Sequence, residues 1–195
     1  MNAPFKKYLI DRLCITDKQA EIALSDIKTK FFKKGSIILD EGSIKSESYF
    51  INHGLLRLYS IDQKGKEHII QFAPENWMIS ERNSMLFNEP SPYYIEAIED
   101  SEVLVIGKNF FIDLKKDIPE ILELNIKMLH NSIRFMQQRI TMLLSATAEE
   151  RYLHFIKLYP NLTLRVPQLM IASYLGVTPE SLSRVRKDLA HKNFK

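Results

Sequence analysis

The sequence predicts an α+β fold in which an antiparallel β-roll is followed by one long helix and then by a helix-turn-helix. Three observations carry that prediction. Between residues 31 and 107, short runs rich in Ile, Val, Tyr and Phe are broken by Gly, Asp, Asn and Pro, the texture of strands joined by turns. From about Asp117 apolar residues recur every three or four positions, the period of a helix. Near the end, YLGVTPESLSRVRKDL (174–189) separates two short amphipathic segments with Gly-Val-Thr-Pro.

Residues 1–30 carry helical periodicity at Tyr8, Leu9, Leu13, Ile22, Ala23 and Ile27, which predicts short helices packed on the strands beyond them. The opening MNAPFKKYLIDRLC has no apolar stretch of signal-peptide length, and no later run approaches a membrane span, so a cytoplasmic protein without a membrane partner is expected. Cys14 is the single cysteine. It excludes an internal disulfide and argues against a cysteine-ligated cluster within one chain, leaving a buried or idle thiol. At 195 residues and 45% hydrophobic content, the chain can build one large domain or two modest ones.

The strand candidates are GSIILDEG, SYFINHGLLRLYS, KEHIIQFA, YYIEAIED and EVLVIG, with a hairpin around DQKGKE at 62–67 and the roll ending near Gly107. Gly35, Gly42, Gly54 and Gly65 fall where turns want them.

The long helix, about residues 117–144, carries a seam. Leu122, Ile126, Leu129, Ile133, Met136, Ile140 and Leu143 follow alternating steps of four and three. One position of the repeat is Ile throughout and the other is Leu except at Met136, a sorting that favours a parallel two-stranded coiled coil and hence a homodimer. A second stripe, Ile121, Met128, Phe135 and Met142, is left to pack on the chain's own roll. The alternative, that both stripes are ordinary core against one sheet, does not account for the sorting of Ile and Leu.

After Leu144, Thr147 followed by Glu150 gives a capping box ahead of Tyr152, Phe155 and Ile156. The chain therefore divides into residues 1–144, a roll with its flanking helices, and residues 145–195, a helical tail. The two differ in charge. Residues 151–195 hold eight basic side chains against two acidic ones, and the first 150 hold nineteen basic against twenty-two acidic. A basic tail on an acidic body points to a polyanionic partner. In the tail, Pro167 suits a helix start, Ala172 sits where two helices cross, Gly176 closes the first helix, Thr178 and Pro179 open the second, and Leu182, Val185 and Leu189 point inward. Glu180, Ser183, Arg184 and Lys187 then share the outward face. Arg can donate two bonds to guanine, Glu can accept from cytosine, and Ser and Lys can hold phosphates. Thr178, Glu180, Ser181, Ser183, Arg184 and Lys187 are thus the candidate contacts to double-stranded DNA. An exposed Glu-Arg ion pair would be the bland reading.

The segment VPQLMIASYLGVTPESLSRVRKDL, centred on Glu180-Ser181-Leu182-Ser183-Arg184, closely resembles the helix-turn-helix of the cyclic-AMP receptor protein and fumarate–nitrate regulator (Crp/Fnr) family. With the long helix and KGSIILDEGS in the roll, the resemblance covers nearly the whole chain. It implies a homodimeric transcription regulator with a cyclic-nucleotide-binding-like sensory roll, a dimerising helix and a winged DNA-binding domain. The implied partners are a pseudo-palindromic operator, RNA polymerase and a small-molecule effector. The chain departs from the family's phosphate-binding cassette, a Gly-Glu pair followed by an Arg-Ser pair. In NWMISERNSMLFNEPSPYYIEAIED, Glu81 lacks the preceding Gly, Arg82 is out of register, and Ser91-Pro92 stands where Arg-Ser is expected. Glu81, Arg82 and Ser91 remain the candidate effector contacts, a cyclic nucleotide is disfavoured, and no other cofactor is indicated. With the last residue at Lys195, a shortened wing is expected.

Two rival functions remain. One is a ligand- or protein-sensing roll without DNA binding. The other is a cupin-like metal protein using His53 and His68. No HExxH pair, Gly-x-Ser-x-Gly elbow or Walker loop is present, so the chain reads as a non-enzyme without a metal site.

Overall fold

The computed structural model describes residues 3–13, 15–25 and 27–193. Cys14 and Lys195, and with them the expectations of an idle thiol and of how the wing ends, lie outside the described residues. Two helices open the chain, α1 (Ala3–Leu13) and α2 (Asp17–Leu24). Thr16 accepts from the Gln19 amide while the Gln19 side chain returns to the Thr16 amide, so α2 starts on a capping box. Ile27, expected on a helix, instead immediately precedes a strand.

Among the described residues eight strands follow: β1 (Lys28–Phe32), β2 (Ile37–Leu39), β3 (Glu47–His53), β4 (Leu56–Ile61), β5 (Glu67–Ala73), β6 (Met78–Ile79), β7 (Tyr94–Ala97) and β8 (Ser101–Gly107). They form two antiparallel sheets, ordered β1-β8-β3-β6 and β2-β7-β4-β5. The expected hairpin joins β4 to β5, with Ile61 opposite Glu67. Its turn is organised by Asp62, whose carboxylate accepts from the Lys64 and Lys66 amides. At the β3–β4 turn Gly54 has φ +96°, and an added Cβ would lie 2.3 Å from Ser101 Oγ. Only glycine fits there.

In β3 and β4 residues Ser48–Ile51 and Leu56–Tyr59 are buried in unbroken runs, because both faces of their sheets are covered there, whereas β1 is exposed at Lys28, Lys30 and Phe31. Tyr49 and Ile51 of β3 point between the sheets with Leu56, Leu58, Ile95 and Val103, whereas Phe50 points outward against α1 and α2. The outer face of the second sheet, carrying Tyr59, Ile69 and Phe72, is covered by the tail.

Between β6 and β7 lies a π-helical turn, Asn83–Phe87. After β8 come α3 (Phe110–Asp113), a short 3₁₀ turn (Leu114–Lys116) and the long helix α4 (Ile121–Ser145). The helix starts later than about residue 117 because Pro119 biases Ile118 away from helical geometry. Its two stripes separate as expected. Ile121 is buried and Phe135 meets Trp77 edge-on at 6.0 Å, while Ile126, Leu129, Ile133, Met136, Ile140 and Leu143 are exposed and Leu122 is half-buried. An uncovered Ile/Leu seam of this length is uncommon on a monomer surface. No helix among the described residues is long and apolar enough to cross a membrane.

Candidate nucleic-acid interface

The tail comprises α5 (Ala148–Leu158), α6 (Leu162–Arg165), α7 (Gln168–Leu175) and α8 (Pro179–Asn193). Thr147 and Glu150 form the expected capping box of α5. Pro167 is the N-cap of α7, at the start of the helix as expected. Gly176 ends α7 at φ +65°, ψ +34°, a left-handed cap that costs glycine little. The Ser181 amide donates to Thr178 Oγ at 3.2 Å, so Thr178 caps α8. Ala172 and Leu182 are each 1% exposed where α7 and α8 cross, and Val185 and Leu189 pack on the same core. Burying Leu182 alone contributes about 1.5–3 kcal/mol to holding α8 down.

That packing leaves Glu180, Ser183, Arg184 and Lys187 exposed on one face, with Thr178 exposed at its start and Ser181 half-buried beside it. Among the described residues no ion pair joins Glu180 to Arg184. The Glu180 carboxyl is held below its usual range by its own backbone amide and the Thr178 hydroxyl, and so stays charged.

The tail is seated on the roll of its own chain. Phe72 of β5 meets Phe155, Tyr159 and Tyr174, with ring centres 6.3, 6.2 and 5.4 Å away. Ser173 Oγ accepts from the Ile69 amide at 3.0 Å and donates to Glu67 O at 2.9 Å, and the Tyr159 hydroxyl donates to Phe72 O at 3.3 Å. At the far end Arg165 is clasped between Glu75 and Glu99, donating also to Gly54 O at 3.0 Å. A cleft of about 350 Å³ opens beside this clasp, between Lys34 and Glu96 of the roll and Leu164 and Pro167 of the tail.

Comparison with known proteins places the chain. The family model of the cyclic nucleotide-binding domain matches residues 29–117. The anaerobic regulatory protein of Pasteurella multocida is 26% identical over 192 residues, covering 90% of this chain and 70% of its own. The fumarate and nitrate reduction regulatory protein of Vibrio cholerae is 27% identical over 195 residues, covering 90% and 76%. Both relatives are regulatory proteins, and the likeness runs over nine-tenths of this chain. The fold recurs in FixK2 of Bradyrhizobium japonicum, at TM-score 0.72 and 21% identity over 86% of each chain. It recurs again in the catabolite activator protein of Thermus thermophilus, at TM-score 0.57 and 20% identity, covering 92% of this chain and 85% of that one.

The effector candidates of this chain are turned to local work. Glu81 is 4% exposed and accepts from the Asn83 and Ser84 amides at 3.0 and 2.7 Å, holding the π-helical turn. Ser91 is 2% exposed, and its hydroxyl both donates to Tyr93 O and accepts from the Tyr93 amide. Arg82 is exposed. A cyclic phosphate needs free amides and a cation, and a ribose needs a free carboxylate, so these three residues do not fit a cyclic nucleotide. His53 and His68 face separate carboxylates, Glu75 at 4.0 Å and Asp62 at 2.9 Å. Among the described residues no group of three His, Cys, Asp or Glu could hold a metal. Arg139, Arg151, Arg165 and Ser173 went unnoticed in the sequence, since their partners are mostly backbone carbonyls or distant carboxylates.

Proposed function

We propose that this chain is a homodimeric, sequence-specific DNA-binding regulator of transcription. Residues 1–144 form the sensing and dimerising part and residues 145–195 the reader. The observation that carries the reading is the face of α8, where Glu180, Ser183, Arg184 and Lys187 stand uncovered on a helix locked by Leu182. Two such helices, related by the axis of an α4 seam formed by Leu122, Ile126, Leu129, Ile133, Met136, Ile140 and Leu143, would fall about one helical turn apart, roughly 34–36 Å, and read a pseudo-palindrome. The effector is a small molecule other than a cyclic nucleotide held in the family's manner, and RNA polymerase is the downstream partner. An effector acts by preferring one arrangement of the readers over another.

Selection of bound duplexes from a random pool tests this. A pseudo-palindromic consensus is expected, with affinity falling steeply as salt rises, because phosphate contacts release counterions. Recovery of no consensus, or a monomer in sedimentation at micromolar concentration, overturns the proposal.

A further inference from the structure

The last carbonyls of a helix have no partner within it. At the end of α7 two of them are taken by arginines from other elements. Arg139 Nη2, on α4, donates to Tyr174 O and to Ile69 O of β5, both at 3.0 Å, and its guanidinium lies 3.7 Å from the centre of the Tyr174 ring. Arg151, on the first turn of α5, donates to Leu175 O at 3.1 Å, to Leu143 O at 2.8 Å and to Ala146 O at 3.0 Å. One guanidinium therefore ties the end of α4 to the end of α7, and the other ties α4, α7 and the roll. Among the described residues neither arginine is paired with a carboxylate, so both charges are directed at carbonyls, where a helix C-terminus favours a cation. Leu143, the last seam residue, also approaches the turn itself: a Cβ on Gly176 would lie 3.1 Å from its Cδ2.

We propose that Arg139 and Arg151 are positioning residues that fix the angle of α8 against the α4 seam, so that paired half-sites are read at one separation only. The inference rests on the DNA-reading function proposed above. The planar fork of arginine can hold carbonyls from several elements at once, whereas the compact head of lysine supplies the charge without that geometry. Arg151→Lys therefore keeps the cation and loosens the junction.

The selected operator, rebuilt with half-sites a base pair or two closer and farther apart and also as a single half-site, tests this with full-length protein. Wild type is expected to prefer the selected spacing by about tenfold or more, a usual size for coupling between sites. In Arg151→Lys and Arg139→Gln that preference should fall to about twofold, with single half-site affinity within about twofold of wild type. In DNA-free protein the Gly176 and Val177 amides should exchange faster in both variants while the Leu182 amide does not. Equal weakening on every duplex with the spacing preference intact, or unchanged exchange at Gly176 and Val177, overturns the inference and leaves the arginines as supports of the fold. A wild type that selects no sequence overturns DNA reading itself, and this inference with it.

Discussion

Replacing Arg165 with Ala should loosen the tail from one end of the roll. Its guanidinium donates from Nε to both Glu99 oxygens at 3.0 and 3.2 Å, from Nη1 to Glu75 at 2.8 Å, and from Nη2 to Gly54 O, Glu75 and Glu99 at 3.0, 2.9 and 2.6 Å. The three side chains are 23%, 30% and 32% exposed. Removing the arginine leaves two carboxylates facing each other. Breaking a fully buried pair costs about 3–5 kcal/mol, and the solvent still reaching this site lowers the figure to about 2–3 kcal/mol. For a chain of this size that is a fall of roughly 5–10 °C in melting temperature, readable by circular dichroism at neutral pH. Adding Glu75→Gln and Glu99→Gln to the Ala variant should recover part of the loss, since the repulsion disappears. Burial pushes the Glu75 carboxyl up, but hydrogen bonds from Arg165 and backbone amides outweigh it and leave it below its usual 4.5. A depressed carboxylate contributes its stability above the unfolded value and loses it as pH falls through the folded one. The difference between wild type and Arg165→Ala should therefore shrink below about pH 4.5. A fall in melting temperature of less than about 1 °C, or no recovery on neutralising the acids, would refute the reasoning.

Arg184→Ala should cost about 1–3 kcal/mol in operator binding and relax preference at one base pair; uniform weakening across sequences, measured by titration of a duplex panel, would assign the side chain to phosphate instead. Gly176→Ala meets both a left-handed backbone and the 3.1 Å approach of Leu143, so it should destabilise by about 1–2 kcal/mol in chemical unfolding, and an unchanged midpoint would mean that the turn relaxes freely. Asp62 is held down to about 2 by His68 and by the Lys66 and Lys64 amides. Its carboxyl resonance should titrate near that value in wild type and higher in His68→Leu, and a wild-type midpoint near the ordinary 3.8 would count against the hairpin geometry.

Local chemistry was the legible part of this chain. Gly176, Thr178 and the Thr147–Glu150 pair each specify a backbone conformation within a few residues, and each is found as expected. The heptad sorting likewise separated an exposed stripe from a packed one. What stayed hidden depends on partners far along the chain. β1, Lys-Thr-Lys-Phe-Phe, becomes a strand by pairing with β8, Lys28 opposite Val105, and β6 is two residues placed by β3. Glu81 was recognisable as a cassette carboxylate by position, yet its oxygens close on amides two and three residues ahead. Arg165 and Ser173 looked like ordinary tail residues, because nothing near them in sequence names Glu75, Glu99 or the β5 backbone as acceptors.

The hydroxyl of Ser173 has a consequence beyond seating a helix. β5 is the outermost strand of its sheet, and its outward backbone groups are the kind of open rim on which a foreign strand can grow. Ser173, Arg139 and Tyr159 occupy Glu67 O, both polar groups of Ile69 and Phe72 O, so the tail doubles as a guard for that rim. Any motion that swings the tail away must leave the rim bare, and this sets an upper limit on how far and how long the two halves can part before the chain turns sticky.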